Sequence, residues 1–318
     1  MPVMELYPLK FKPIFKERIW GGRKLAEVFG KPLPADVKIG ESWELADLPN
    51  DKSVIANGPL AGQTLASAIN GYPEAITGSA DFTGPFPLLI KLLDAEDVLS
   101  VQVHPDEVAC KRMKKGDPKT ECWYIIAAEP KAVIYKGLKR GITKDRIADA
   151  IKTGTVADLL IKVPVKSGEC HFLPAGTIHA IGAGLLIAEI QMPSDTTYRV
   201  FDWNRLDDSG KPRQMHIEES LESIHYDSSG DNLTVETVGR LVDCSYFKVD
   251  KCHQAARGEV YIKPAELHVL IITKGSGKII NRTIEPVRFI AGDTLLIPAA
   301  FEGAMRFDTD IEYLKVTL

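Results

Sequence analysis

The chain carries a weak copy of itself, and no other feature constrains its fold as much. Glu121-Cys122-Trp123-Tyr124-Ile125-Ile126 can be laid beside Leu267-His268-Val269-Leu270-Ile271-Ile272, and Gly168-x5-Pro174 beside Gly292-x5-Pro298. Each copy has an apolar run of strand length, then a glycine and a proline at a fixed interval that mark a turn. Internal self-similarity is the mark of a duplicated structural unit. The chain is therefore expected to hold two related β units, joined by a connector over about 209–240.

The first copy bears polar residues that the second lacks. In a strand, side chains at i and i+2 point the same way. Gln102 and His104, in the run Ser100 to Pro105, therefore face one side together. Lys119, Glu121 and Trp123 share a face in the same manner. Gly168 to Leu173 reads as a short strand, Pro174 to Gly176 as a turn, and His179 as the opening of the next strand. Two histidines, a carboxylate and an amide drawn from three strands can surround one divalent ion. Gln102, His104, Glu121 and His179 are the expected ligands. A single histidine is more often a hydrogen-bonded structural residue, so the combination carries the reading. In the second copy Leu267 stands in the place of Glu121 and Gly303 in that of His179, so the C-terminal unit is expected to be metal-free.

The rest of the pattern is mostly β. Leu6 to Trp20 reads as an extended segment crossing the body of the protein, and Trp20-Gly21-Gly22 as a turn. Arg23 to Phe29 is a short helix, Gly40 to Leu45 a strand, and Thr64 caps a helix to Asn70. Phe86 to Leu93 is a buried apolar strand interrupted by Lys91, whose isolated burial would be very costly. Ile125 to Tyr135 reads as a hairpin around Glu129-Pro130-Lys131. Thr143 to Ile151 has helical spacing closed by Gly154, and Thr155 to Leu160 a second short helix. That pair, near 140–160, is a small helical insertion that could border the site.

Composition excludes several classes. A net charge of −4 offers no basic field for nucleic acid. No run approaches the roughly 20 apolar residues that cross a membrane as a helix. Five cysteines without CxxC spacing suggest reduced thiols, and the N-terminal run Met1 to Glu5 lacks a charged-then-apolar leader. A cytoplasmic protein is expected. No glycine-rich P-loop is present, so no nucleotide is implied.

The spacing from Gly168 to His179 resembles the second motif of the cupin barrels, and Gln102-x-His104 with Glu121 resembles the first. Pro87-Leu88-Leu89-Ile90-Lys91-Leu92-Leu93-Asp94-Ala95, the run from Leu99 to Asp106, and Lys119-x-Glu121 together resemble type I phosphomannose isomerases of the short bacterial branch. The similarity extends over nearly the whole chain. It implies two cupin (jelly-roll) barrels: a catalytic barrel over 1–240 and a degenerate, metal-free one over 241–318. It further implies interconversion of mannose 6-phosphate and fructose 6-phosphate with one Zn2+ per chain. The partner implied is a small sugar phosphate, and the protein is expected to be a monomer or homodimer.

The family also suggests roles for residues. Arg199 holds the position of the active-site arginine after the metal histidine, and Lys91 that of a conserved-place lysine at the substrate. Moving a proton between C2 and C1 of a ring-opened sugar calls for a general acid/base, a step worth roughly 10²–10⁴-fold. Lys119 is the expected base or proton carrier, and Arg199, a poor base, the electrostatic stabiliser. Lys91, Ser100, Trp20, Glu41 and Glu189 are expected around the substrate. Two other readings stand beside this one. A non-haem iron oxygenase also uses two histidines and a carboxylate, and a non-catalytic cupin could bind a sugar. The retained ligand set of the first unit argues against the latter.

Overall fold

Strands in the first unit are apolar on both faces, and the packing explains why. The computed structural model describes residues 5–206, 210–227 and 235–318; parts of the connector expected over 209–240 lie outside them. A six-stranded antiparallel sheet runs in the order Ile14–Gly22, Ile39–Leu45, Leu89–Ala95, Leu185–Gln191, Glu121–Ala128, Cys170–Leu173. A five-stranded sheet faces it, in the order Tyr198–Phe201, Val101–Val103, His179–Ile181, Val133–Leu138, Leu160–Pro164. Trp123, Ile125, Ile187 and Leu93 fill the space between the two. Their sequence neighbours Cys122, Tyr124, Leu186 and Leu92 point the other way and pack against Val249, Val269, Ile271 and Leu314 of the second unit. Tyr124 donates to Glu312 at 2.5 Å across that contact.

The second unit repeats the plan. Its six-stranded sheet runs Leu9–Lys10, Thr294–Ile297, His268–Lys274, Ile311–Thr317, Lys248–Gln254, Gly239–Asp243, and a four-stranded sheet covers it. Leu270, Ile272, Phe289, Leu295 and Met305 fill this second interior. The fold is thus mainly β, two double-sheet barrels placed back to back through their larger sheets. The N-terminal Leu9–Lys10 strand pairs with Leu295 and Leu296 of the second unit.

The helices lie outside. Lys144–Thr153 starts at Thr143, whose side chain accepts from Arg146 N–H, and ends at Gly154 with φ 71°. Its Ile147 and Ala150 pack on the outer face of the five-stranded sheet. It does not line the cavity described below. Thr155 to Leu160 forms only a 3₁₀ turn over Val156–Leu159 before Leu160 opens a strand.

Two expectations are corrected. Trp20-Gly21-Gly22 is not a turn but the end of the Ile14–Gly22 strand. Glycine is needed there for close approach: a Cβ on Gly21 would lie 2.3 Å from Gly40 N. Ile125 to Tyr135 is not a hairpin, because the strands on either side of the turn belong to opposite sheets. Glu121–Ala128 pairs with Leu185–Gln191 and Cys170–Leu173, whereas Val133–Leu138 pairs with His179–Ile181 and Leu160–Pro164. The same turn residues serve a crossing between sheets as well as a hairpin.

Candidate active site

One cross-strand row builds much of the site. On the five-stranded sheet Arg199, Gln102, His179 and Lys136 stand opposite one another in register. Directly opposed residues of antiparallel strands project from the same face. That face is the barrel interior. The facing sheet contributes Lys91 and Glu189, themselves register partners, and Glu121.

His104, Glu121 and His179 are 2%, 0% and 1% exposed, and their candidate ligand atoms all lie within 4.8 Å of one another. His104 Nε2 is 3.4 Å from Glu121 Oε2, and His179 Nε2 is 3.4 Å from Glu121 Oε1. Gln102 Nε2 approaches His179 Nε2 at 3.2 Å. Each imidazole is oriented by its other nitrogen: His104 Nδ1 meets Thr196 O at 2.8 Å, and His179 Nδ1 meets Thr177 O at 2.9 Å. Because a carbonyl only accepts, both rings carry their proton on Nδ1 and turn a lone pair inward at Nε2.

Buried polar atoms normally have partners. Among the described residues His104 Nε2 and Glu121 Oε1 have no hydrogen bond, and Glu121 Oε2 meets only the Lys119 ammonium. A divalent ion satisfies such a set, so the residues fit a metal centre. Electrostatics agree. Burial, reinforced by Lys119, pushes His104 down to about 4, and burial lowers His179 as well. Both are neutral at physiological pH, as a metal would require of them. Burial works against the Glu121 carboxylate, but the Lys119 ammonium first, and then the adjacent His104 and His179 rings, overcome it and hold its pKa well below the ordinary value.

Above the triad lies a cavity of about 310 Å³. Trp20, Glu41, Lys91, Ser100, Gln102, Lys119, Glu189 and Arg199 all line it. These are the sugar-contact, base and stabiliser positions expected from the sequence, together with one ligand position. Lys119 Nζ sits 2.8 Å from Glu121 Oε2 and 4.0 Å from Glu189 Oε1. Lys91 donates to Glu189 Oε1 at 2.9 Å, and Trp123 Nε1 donates to Glu189 Oε2 at 3.1 Å. Burial opposes the Lys91 ammonium, but Glu189 and Glu41 outweigh it and raise its pKa. Glu41 accepts from Arg18 Nε at 2.8 Å and from Trp43 Nε1 at 2.6 Å. Its strand is interior to the sheet and wholly buried.

Three further charged residues line the cavity that the sequence reading did not single out: Arg18, Asp195 and Arg213. Arg18 carries a faint signal, since Lys16, Arg18 and Trp20 alternate along their strand. Arg213 carries none; it reaches the cavity from a loop through a paired contact with Asp202 at 2.7 and 2.5 Å. With Lys91, Lys119 and Arg199 these give five cationic side chains against the three carboxylates Glu41, Glu189 and Asp195. A wider cavity of about 720 Å³ adjoins at Asp195, but its wall sets Asp47, Asp51, Asp117 and Asp195 against the single cation Lys52, a balance unfavourable to an anion.

The arrangement can hold a divalent ion beside a small anion, and the chain is similar to known proteins in sequence and fold. The family profile "Phosphomannose isomerase type I, catalytic domain" matches residues 8–124. The chain is 40% identical over 317 residues to a probable mannose-6-phosphate isomerase of Bacillus subtilis, covering 95% of this chain and 98% of that one. The crystal structure of the mannose 6-phosphate isomerase from Bacillus subtilis superimposes with a TM-score of 0.85 at 32% identity, covering 98% and 99% of the two chains. A zinc-bound mannose 6-phosphate isomerase shares the fold, with a TM-score of 0.76 at 17% identity over 98% of this chain and 100% of that one. On sequence and fold together, the chain belongs to the type I phosphomannose isomerase family.

Proposed function

We propose that the protein interconverts mannose 6-phosphate and fructose 6-phosphate, using one zinc ion per chain. The observation that carries this reading is the buried, convergent His104–Glu121–His179 cluster, next to a cation-lined cavity that Gln102 and Lys119 also line. His104, Glu121, His179 and Gln102, the last through its amide oxygen, would hold the ion. A set of nitrogen and oxygen donors of this size suits zinc, which expands to five ligands when substrate binds. When bound, the ion supplies a Lewis acid that polarises the substrate oxygens and offsets developing negative charge.

The chain's own residues do the rest. The cavity takes the ring-opened sugar in extended form. Lys119 Nζ, held at the cavity wall between Glu121 and Glu189, moves the proton between C2 and C1. Arg199 keeps its charge and steadies the enediolate of the sugar. Arg18 and Arg213 at the cavity wall, with Ser100, take the phosphate. Lys91 contributes charge from within its ion pair with Glu189. Trp20 and Glu41 shape the wall, and Trp20 is only 4% exposed.

The cation-rich lining favours this reading over oxygen chemistry at the same triad, since dioxygen carries no charge to recognise. The test compares mannose 6-phosphate with unphosphorylated mannose on zinc-loaded protein. Turnover of the phosphate ester should exceed that of mannose by at least about 10³ in kcat/KM, because remote binding energy is spent at the reacting centre. Equal rates would overturn the phosphate assignments. Ketose formed from neither would overturn the isomerase. We assign the working protein to the cytoplasm, as a monomer or homodimer, on the basis of its reduced cysteines and small phosphorylated substrate.

A further inference from the structure

Tyr198–Phe201 is the outer strand of the five-stranded sheet. On its outer edge the N–H and C=O of Arg199 have no strand to pair with among the described residues, and unpaired backbone groups are costly when sheltered from water. One residue supplies both partners. The His216 backbone N–H donates to Arg199 O at 3.0 Å, and His216 Nδ1 accepts from the Arg199 N–H at 3.1 Å. Two residues earlier, Gln214 O accepts from Arg199 Nη1 at 2.7 Å. The segment 214–216 thus grips both the main chain and the guanidinium of a single residue.

His216 also stands at the start of the helix Ile217–Ser223, where a polar side chain usually caps a free N–H. It makes no cap bond. Its ring turns instead toward the strand, with its centroid 6.0 Å from that of Tyr198.

We propose that His216 is a positioning residue for Arg199, standing in for the missing neighbour strand and aiming the guanidinium into the catalytic cavity. The proposal rests on the reading of Arg199 as the group that faces the sugar. Arg199 in turn lies across the ladder from Gln102, so a shift of its backbone would move the charge relative to the ligand cluster. A misplacement of about 1 Å in such a group costs on the order of 10²-fold in rate.

The ring must be unprotonated at Nδ1 to accept. The charged groups around it are Arg199, Glu219 and Lys115, and the neighbouring titratable group is Tyr198. Burial first, then Arg199 and Lys115, disfavour a second proton on the ring, with Glu219 opposing them. The acceptor therefore persists at neutral pH.

Four zinc-loaded variants test the proposal: His216→Leu, His216→Asn, Arg199→Lys and the double change Arg199→Lys with His216→Leu. Steady-state kinetics, zinc content and circular dichroism are measured on each. His216→Leu should lower kcat by about 10- to 100-fold, with KM changed less and zinc retained. His216→Asn, whose Oδ1 takes the place of Nδ1, should recover to within about threefold of the parent. The double variant should be no worse than Arg199→Lys alone, because coupled sites are not additive. Wild-type kcat in His216→Leu, with Arg199→Lys impaired, would overturn the positioning role and leave the reading of Arg199 intact. Wild-type kcat in Arg199→Lys would overturn that reading, and this proposal with it. Failure of the asparagine to recover, or additivity in the double variant, would reduce His216 to a structural residue and overturn the proposal.

Discussion

Arg199 stands directly opposite Gln102 on adjacent strands of the smaller sheet of the first barrel. Both side chains line the same cavity. The fold thus places a permanent cation beside a candidate metal ligand without help from a loop. Arg199→Lys keeps a charge but loses the planar fork. It is expected to lower kcat by about 10²- to 10³-fold at unchanged zinc content. Steady-state kinetics with metal analysis checks this, and full activity would remove Arg199 from the chemistry.

Lys119 lies 2.8 Å from the Glu121 carboxylate and 3% exposed. Lys119→Gln fills similar space and cannot carry the proton. A kcat lower by about 10²–10⁴-fold is expected, with little change in KM. Zinc should bind at least as tightly, because a cation beside the carboxylate has been removed. Zinc lost together with activity would instead mean that Lys119 serves only to build the metal site.

The two candidate histidine ligands resist protons. His104 is pushed down to about 4, by burial first and by Lys119 second. Unfolded chains protonate histidine near 6.5. Between those values the unfolded state binds more protons, so the metal-free fold loses stability as pH falls through that window. Zinc competes only with the folded-state proton, and His104 should hold it down to about pH 5. Metal analysis after gel filtration across pH 4 to 8 follows the release. A midpoint near 6.5 would show an ordinary, accessible histidine.

Lys136 is register partner to His179, 3% exposed, and its Nζ has no hydrogen bond among the described residues. Burial lowers its pKa from 10.5 to about 8. Between pH 8 and 10.5 the unfolded chain binds the extra proton, so stability rises with pH across that range. The drop corresponds to about 3 kcal/mol of cost at neutral pH. Lys136→Met should therefore be more stable at pH 7 by about 1–3 kcal/mol and flat in stability from pH 8 to 10. Urea denaturation at several pH values measures both. A less stable variant would mean that the amine has a partner in solution.

The convergence of His104, Glu121 and His179 was legible because each part is local. Gln102 and His104 sit two apart on one strand, and His179 follows a turn that proline and glycine announce. Barrel closure was less legible, as the crossing between Glu121–Ala128 and Val133–Leu138 shows. The turn between them looks the same whether the chain folds back or changes sheets, and only the later strands decide. Arg213 was invisible for a related reason: its approach depends on Asp202, eleven residues earlier, which also binds Arg205. The pairing of Leu9–Lys10 with Leu296 and Leu295 was equally hidden, since two residues carry no pattern that names a distant partner. What the sequence could not show of Glu41 is that its strand lies inside the sheet, where Arg18 and Trp43 satisfy the carboxylate.

The most direct measurement is the formation of fructose 6-phosphate from mannose 6-phosphate before chelation, after it, and after zinc is returned, with His179→Ala alongside. Activity should vanish with the metal, return with about one zinc per chain, and stay absent in His179→Ala, which should no longer hold the ion. Undiminished turnover in metal-free protein, or in His179→Ala, would contradict a metal-dependent isomerase at this site.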